Sequence, residues 1–325
     1  MYTFRNNLER TVIMTQIISF FLALIMTLVP FVSRKPVNPD EILLNVSIIS
    51  DTHLDARFPG GKLNLERGLR DMNKFDNDAI VHVGDITNYG DEASVKYFYD
   101  IMQGSCDAEN WVVATGNHEI GHPEEFTNEE ARQNFIKYHN EYTGQNIENA
   151  YYSIDVEGYT FVVLCDQSED NWDSCDIYED QLNFLDAELA RGTAEGKPVF
   201  VVCHVPVEGA NGQDIIYEDG GLDEYSDAVK TILEKYENVF FISGHVHTGI
   251  NGHLSKELFD ISCVETENGV TYVNLPTYGI VNRYGIPWNG MGFQMEVYED
   301  EVVFRARKFN TSRWYGFYEF SIDLV

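Results

Sequence analysis

The chain has 325 residues, 44% of them hydrophobic, which suffices to bury one large core or two small ones. Its formal net charge of −31 at pH 7 argues against a nucleic-acid polymer as the natural partner, because phosphate backbones are bound through clustered Lys and Arg. We interpret this acidity as a solvated surface. The five cysteines form no C-x-x-C pair, and none is assigned a catalytic role.

The first predicted element is an uncharged apolar stretch over residues 11–32, with basic residues on both sides. It is long enough to span a bilayer core, and it exceeds the usual signal-peptide core of about 7 to 15 residues. We therefore expect residues 1–36 to form an uncleaved transmembrane anchor, with secretion after signal cleavage as the alternative. The domain that follows is expected outside the cytoplasm, where Cys165 and Cys175 are close enough in sequence to bridge a loop.

From residue 37 onwards, hydrophobic strand runs alternate with helix-like runs, which predicts crossover connections and a largely parallel sheet. The helix-like runs carry apolar residues at three-to-four spacing, and they are 62–75, 92–105, 128–142, 179–191 and 223–236. Beyond His247 the pattern changes to β runs with little helix between them, namely 260–264, 270–274, 292–298, 302–308 and 315–322. Residues 299–301 are predicted to form a hairpin turn.

Potential metal ligands stand where five of the strand runs break into polar or glycine-containing turns. They follow LNVSIIS, AIVHV, NWVVAT, PVFVV and NVFFIS, and they are Asp51, His53, Asp85, Asn117, His204, His245 and His247. Open α/β sheets place their ligands at the carboxyl ends of strands, so these side chains are expected to meet. Carboxylate, imidazole and amide oxygen without thiolate suit Zn, Mn or Fe, and not a structural Cys-type zinc site.

The backbone around these residues is also informative. Gly84, Gly116 and Gly244 are expected to let the chain turn sharply beside a metal cluster. The alternation of His245 and His247 predicts that both imidazoles point to one side of an extended segment.

In this order, D-x-H, G-D, G-N-H-E, a lone His after a strand and G-H-x-H resemble the calcineurin-like metallophosphoesterase superfamily, from about residue 43 to the C-terminus. The resemblance implies an α/β fold with a two-sheet β-sandwich flanked by helices, which we assign to residues 37–325. It also implies two divalent transition-metal ions. One metal would be held by Asp51, His53 and His247, the other by Asn117, His204 and His245. Asp85 would bridge them, and His118 would be a catalytic imidazole beside the leaving group.

Asn88 narrows the choice of branch within this superfamily. Purple acid phosphatases have a tyrosinate ligand at this position, so a ferric tyrosinate centre is not expected. Protein Ser/Thr phosphatases have G-D-x-x-D-R-G where this chain has residues 84–90, and both the carboxylate that orients the catalytic His and the phosphate-binding Arg are missing. The broad phosphodiesterase-like branch remains.

The sequence therefore predicts a membrane-anchored enzyme that hydrolyses a small phosphodiester or phosphomonoester by attack of a metal-bridging hydroxide. The alternatives are a non-catalytic metal-binding scaffold of the same fold and a metal-dependent nuclease, which the acidity disfavours. Loop 277–292 is the predicted wall of the substrate pocket. The other histidines are interpreted as structural or surface residues, namely His82, His122, His139 and His253.

Overall fold

The computed structural model describes residues 39–121, 126–169, 175–280, 282 and 289–325. The predicted anchor at residues 11–32 lies outside the described residues, as do His122 and most of loop 281–288. Within the described ranges, none of the helices is both long and apolar enough to cross a bilayer.

Strands and helices alternate along most of the described chain. The strands are β1 (Leu44–Ile49), β2 (Ala79–Val83), β3 (Asn110–Ala114), β4 (Tyr152–Val156), β5 (Tyr159–Val163), β6 (Val199–Val202), β7 (Val239–Ser243), β8 (Val264–Glu267), β9 (Val270–Asn274), β10 (Met291–Val297), β11 (Glu301–Lys308) and β12 (Arg313–Asp323). The helices are α1 (Gly60–Met72), α2 (Glu92–Ser105), α3 (Asn117–Ile120), α4 (Asn128–Thr143), α5 (Glu179–Gly192), α6 (Gln213–Ile216), α7 (Ser226–Leu233) and α8 (His253–Phe259).

The strands form two mixed sheets of six. The first has the order β12-β11-β10-β1-β2-β3 and the second the order β4-β5-β6-β7-β9-β8. β1, β2 and β3 are parallel, and so are β5, β6, β7 and β9, which confirms the predicted crossover connections. β10 pairs antiparallel with β1, so the C-terminal strands extend the sheet that the N-terminal strands begin.

Alternate residues of the central strands belong to two different hydrophobic layers. In β6, Phe200 and Val202 join the core that is shared with the first sheet, while Val199 and Val201 pack with α5 and α7. Phe240 of β7 meets Phe304 of β11 across the sheets, with ring centroids 6.0 Å apart. Because both faces are covered, these strands have the continuous apolar runs that make them visible in the sequence.

Capping residues set two of the helix boundaries. The Asp91 carboxylate accepts the Ser94 N–H at 3.0 Å at the start of α2. At the start of α4, Thr127 and Glu130 form a capping box, and α4 ends at Gly144 with φ 71°. The predicted helices at 92–105 and 128–142 are confirmed.

The sequence prediction was wrong at residues 260–264. The chain forms α8 immediately before this run, and Asp260 then adopts a left-handed conformation with φ 58° that ends the helix. Since a strand cannot accommodate that conformation, β8 begins only at Val264. The hairpin at 299–301 is confirmed, because the Tyr298 N–H donates to the Glu301 carbonyl at 2.8 Å. A Cys165–Cys175 bridge is not formed, because all five cysteines are free.

His139 is a buried structural residue, as expected. Its Nδ1 lies 3.0 Å from the Tyr99 hydroxyl and its Nε2 lies 2.8 Å from Gln145 Oε1. Neutral imidazole satisfies both contacts, since one nitrogen accepts from the hydroxyl and the other donates to the amide oxygen. Burial lowers the pKa of His139 from 6.5 to about 4.

This pKa predicts a loss of stability in acid. Between pH 6.5 and about 4 the unfolded chain binds the proton that folded His139 does not, so the free energy of unfolding falls as the pH falls. The full effect is about 3 kcal/mol. In urea unfolding of metal-free protein at pH 7.5 and pH 4.5, the change between the two pH values should be smaller for His139→Gln than for the wild type. Equal changes in the two proteins would contradict this assignment.

Candidate metal centre

The seven predicted ligands lie just beyond the carboxyl ends of β1, β2, β3, β6 and β7, all in loops except Asn117, which begins α3. Backbone hydrogen bonds continue between these loops beyond the strands. The Asp51 N–H donates to the Gly84 carbonyl at 3.0 Å, and the His53 N–H donates to the Asp85 carbonyl at 3.0 Å. The strand ends of each sheet therefore hold their loops side by side, and the ligand side chains converge.

One group of ligands comprises Asp51, His53, Asp85 and His247, whose ligand atoms all lie within 4.8 Å of one another. His247 Nε2 is 3.3 Å from Asp51 Oδ1, and His53 Nε2 is 3.6 Å from Asp85 Oδ2. The Nε2 atoms of His53 and His247 are 3.0 Å apart. These four residues offer the ligand atoms for one divalent cation.

The other three predicted ligands, Asn117, His204 and His245, form a second group that also approaches Asp85. His204 Nε2 is 3.2 Å from Asp85 Oδ2, and His245 Nδ1 is 3.0 Å from Asn117 Oδ1. The rings of His204 and His245 have centroids 5.3 Å apart. Asp85 Oδ2 therefore lies within 3.6 Å of ring nitrogens of both groups.

Several buried polar atoms in these groups make no hydrogen bond among the described residues. They are both carboxylate oxygens of Asp51 and Nε2 of His204 and of His245. Burying a carboxylate whose oxygens accept no hydrogen bond costs several kcal/mol. Cations bound between these nitrogens and oxygens would satisfy all of these atoms, so the residues fit a metal centre made of N and O ligands.

Electrostatics favour the neutral form, which can bind a metal, at two of the candidate histidines but not at His204. Burial lowers the pKa of His53 to about 4 and that of His245 to about 3, so both rings are neutral and able to donate a lone pair near pH 7. Burial opposes ionisation of Asp85, but His204 holds the pKa of this carboxyl well below its usual range. Burial also disfavours the charged form of His204, yet Asp85 and Asp51 raise its pKa to about 10.

Five of the seven predicted ligands adopt left-handed backbone conformations, with φ 57° at Asp51, 45° at His53, 51° at Asp85, 68° at His245 and 49° at His247. Such residues cost roughly 1–3 kcal/mol each and occur where the surrounding structure imposes them. The extended segment predicted for His245 and His247 is wrong for this reason. The Val246 N–H donates to the Gly244 carbonyl at 2.8 Å, so the segment is a tight turn.

His118 lies beside the first group of ligands without belonging to it. Its Nδ1–H donates to the Asn88 carbonyl oxygen at 2.7 Å, and its backbone N–H donates to Asp85 Oδ1 at 3.0 Å. Its ring meets the His53 ring edge to face, with centroids 4.6 Å apart. The side chain is 24% exposed, and its Nε2 lies 3.9 Å from Asp85 Oδ2.

Comparison with known proteins agrees with this geometry. A sequence profile described as calcineurin-like phosphoesterase matches residues 44–249. The chain belongs to this family. A search of curated protein sequences finds no significant match.

Solved structures with the same fold include two with TM-scores above 0.5. A purple acid phosphatase, PPD1 from yellow lupin (Lupinus luteus) seeds, matches with TM-score 0.59 and 16% identity over 86% of this chain and 53% of that chain. This chain therefore spans about half the length of the lupin protein. GAP50, the anchor in the inner membrane complex of Plasmodium, matches with TM-score 0.55 and 14% identity over 87% of this chain and 89% of that chain. At these identities the likeness shows the fold alone.

The contact between Asn88 and His118 was not foreseen. The sequence showed only that this calcineurin-like phosphoesterase lacks a carboxylate to orient the imidazole. In the structure the Asn88 backbone carbonyl orients the ring instead. Any residue could supply that oxygen, so no side-chain pattern could have indicated it.

Glu119 is a second feature that the sequence did not assign. It is 1% exposed, and its carboxylate accepts hydrogen bonds from the loop after Asp85 and from Gly116. Burial and the nearby Asp85 carboxylate raise the pKa of Glu119 to about 7, while the hydrogen bonds act in the opposite direction.

The first part of the predicted pocket wall packs directly against the loop that carries Asp51. The Tyr278 N–H donates to the Ser50 carbonyl at 2.9 Å, and the Gly279 N–H donates to the Asp51 carbonyl at 2.8 Å. Most of the remaining loop lies outside the described residues, so its role as a wall stays a prediction. His82 is structural, since it contacts the Thr52 hydroxyl at 2.9 Å.

Glycines are required at the centre mainly because ligand side chains approach their Cα atoms closely. Gly84 has φ 89°, as expected for a sharp turn. Gly116 has an ordinary φ of −114°, but a Cβ there would overlap Asp85 Oδ1 and lie 2.5 Å from the Asp85 amide nitrogen. A Cβ on Gly244 would lie 2.8 Å from Asp51 Oδ2.

Gly116→Ala is therefore expected to displace the Asp85 carboxylate and to weaken Mn binding by at least about tenfold, as loss of ligand support typically does. Elemental analysis and calorimetric titration of the folded variant would measure this. Gly104→Ala is the matched control, because a Cβ at this position in α2 meets nothing within 4 Å. Equal Mn affinity in the two variants would contradict the steric argument.

Proposed function

We propose that this protein is a binuclear metal-dependent phosphoesterase that hydrolyses a small phosphodiester or phosphomonoester. The observation that carries the proposal is the position of Asp85, whose Oδ2 lies 3.6 Å from His53 Nε2 and 3.2 Å from His204 Nε2. A single buried carboxylate between two groups of imidazoles is suited to hold two cations at a short separation.

The seven ligands would divide between the cations with Asp85 shared. Asp51, His53 and His247 would hold one, and Asn117, His204 and His245 would hold the other. Two bound divalent cations supply water activation and charge neutralisation at phosphorus. Manganese, iron and zinc all suit this mixed N and O ligand set.

His118 would deliver a proton to the leaving oxygen. Because the Asn88 carbonyl accepts the Nδ1–H, the proton for transfer would be carried by Nε2 of this partly exposed side chain. General-acid help of this kind contributes about 10²- to 10⁴-fold to a rate. The imidazole of His118 is oriented by a hydrogen bond, is partly exposed and is not needed as a metal ligand. Such a residue favours a hydrolase over a non-catalytic scaffold.

The proposal is tested with the full chain, purified in detergent and loaded with Mn. The substrates are cyclic nucleotides, nucleotide-linked diesters, phospholipid head groups, simple monoesters and single-stranded DNA. Turnover of a small ester that disappears on chelation and returns with Mn would support it. Turnover of DNA alone would favour the nuclease, and metal binding without any turnover would favour the scaffold.

We also propose that residues 1–36 anchor the protein in a membrane with the catalytic domain outside the cytoplasm. The uncharged apolar run 11–32 supports this. The full chain should stay in the membrane fraction after high-salt and alkaline washes, which remove proteins held by charge. Mature protein that begins near Arg34 would instead indicate a cleaved signal. Protection of the domain from protease added to intact cells would refute its placement.

A further inference from the structure

We infer that Glu119 is the positioning residue of the metal centre, because its side chain fixes the loop of Asp85 against the segment that carries Asn117 and His118. This inference rests on the proposed function and deepens it. Glu119 itself binds no cation in this arrangement, since both of its oxygens are occupied by hydrogen-bond donors.

The Glu119 carboxylate accepts four hydrogen bonds. Oε1 accepts from the Thr87 N–H and the Thr87 hydroxyl, each at 2.8 Å. Oε2 accepts from the Ile86 N–H at 3.2 Å and from the Gly116 N–H at 3.0 Å. Ile86 and Thr87 follow Asp85 directly, and Gly116 directly precedes Asn117. One side chain therefore joins the two segments that supply the bridging ligand and a ligand of the second group.

Further contacts within and between the same two segments support the arrangement. The His118 N–H donates to Asp85 Oδ1 and the His118 ring donates to the Asn88 carbonyl. The Gly90 N–H donates to the Thr87 hydroxyl at 2.8 Å, and a Cβ on Gly90 would lie 2.5 Å from the Glu119 carbonyl oxygen. A shift of the Glu119 side chain would therefore move Asp85 and His118 together.

Four donors require a group that only accepts hydrogen bonds. Glutamine would offer one oxygen, and its NH₂ group would face backbone N–H donors on the other side. Aspartate is one methylene shorter and would not keep contact with both segments. A buried carboxylate close to Asp85 is electrostatically unfavourable, so its presence is best explained by this need for four accepted bonds.

The test measures Mn binding to the full chain in detergent for the wild type, Glu119→Gln, Thr87→Val and Asp71→Asn. Thr87→Val removes one donor to Glu119 and keeps the backbone N–H. Asp71→Asn is the control for general destabilisation, because Asp71 is a buried carboxylate that pairs with Arg307 and makes no hydrogen bond to a ligand loop. Calorimetry gives the affinities, and electron paramagnetic resonance detects the exchange-coupled pair of Mn ions.

We expect Glu119→Gln to bind Mn about 10- to 100-fold more weakly than the wild type and to lose most of the exchange-coupled signal. Thr87→Val should show a smaller loss in the same direction, and Asp71→Asn should lower the melting temperature without changing Mn affinity. Wild-type affinity and coupling in Glu119→Gln would overturn the inference. If Glu119→Gln does not fold, unchanged affinity in Thr87→Val would overturn it. A wild type that binds no Mn would instead refute the proposed function.

Discussion

Asp85→Asn is expected to lose Mn from both sites and to reduce kcat by at least about 100-fold. Loss of a residue that only supports a ligand costs up to about 100-fold, and loss of a ligand itself should cost at least as much. Asp85 is the shared ligand in the proposed centre, with Oδ2 facing His53 and His204 at 3.6 and 3.2 Å. Asparagine keeps an oxygen that can accept the His118 N–H, but it removes the negative charge that the cations share. Metal analysis and steady-state kinetics on the same preparation would measure both effects.

Asp155→Asn is the matched control for this variant. Asp155 lies half-exposed in β4, where it interacts with Thr160 and Arg191. Neither of these partners is a predicted metal ligand. Its metal content and kcat should equal those of the wild type. Asp85→Asn protein that retains two Mn ions per chain would show that Asp85 does not bridge them.

His118→Ala is expected to retain its metals and to lose about 10²- to 10⁴-fold in kcat on an alkyl or ribosyl ester, because an alkoxide leaving group needs a proton as its bond to phosphorus breaks. The loss should be distinctly smaller on a nitrophenyl ester, whose leaving group departs without protonation. The two substrates on one enzyme form an internal control, since any effect on metal content or folding would reduce both rates equally. Equal losses would mean that His118 acts in phosphate binding or charge stabilisation.

The convergence of the candidate ligands could be predicted because each of five hydrophobic strand runs ends just before one or two of them. Runs such as AIVHV before Asp85 and NVFFIS before His245 are buried on both faces, so their ends are visible in sequence, and parallel strands bring their carboxyl ends together. The mixed sheets with flanking helices follow from the same pattern.

The contacts that orient the centre could not be predicted in this way. The carbonyl of Asn88 has no sequence signature, and the four donors to Glu119 are mostly backbone groups whose positions depend on the assembled fold. The strand predicted at 260–264 failed for a related reason. Asp260 can adopt a left-handed conformation, but only the local packing decides that it does.

The left-handed ligands change how mutagenesis of this site should be interpreted. Alanine at Asp51 would remove a carboxylate and would also place an ordinary side chain at φ 57°, a conformation that alanine adopts less readily than aspartate. Part of any measured loss of metal affinity would then arise from backbone strain and not from the missing ligand. Glycine removes the same carboxylate but adopts this conformation at little cost. The difference in metal affinity between Asp51→Ala and Asp51→Gly would therefore measure the conformational cost of the backbone at this ligand position.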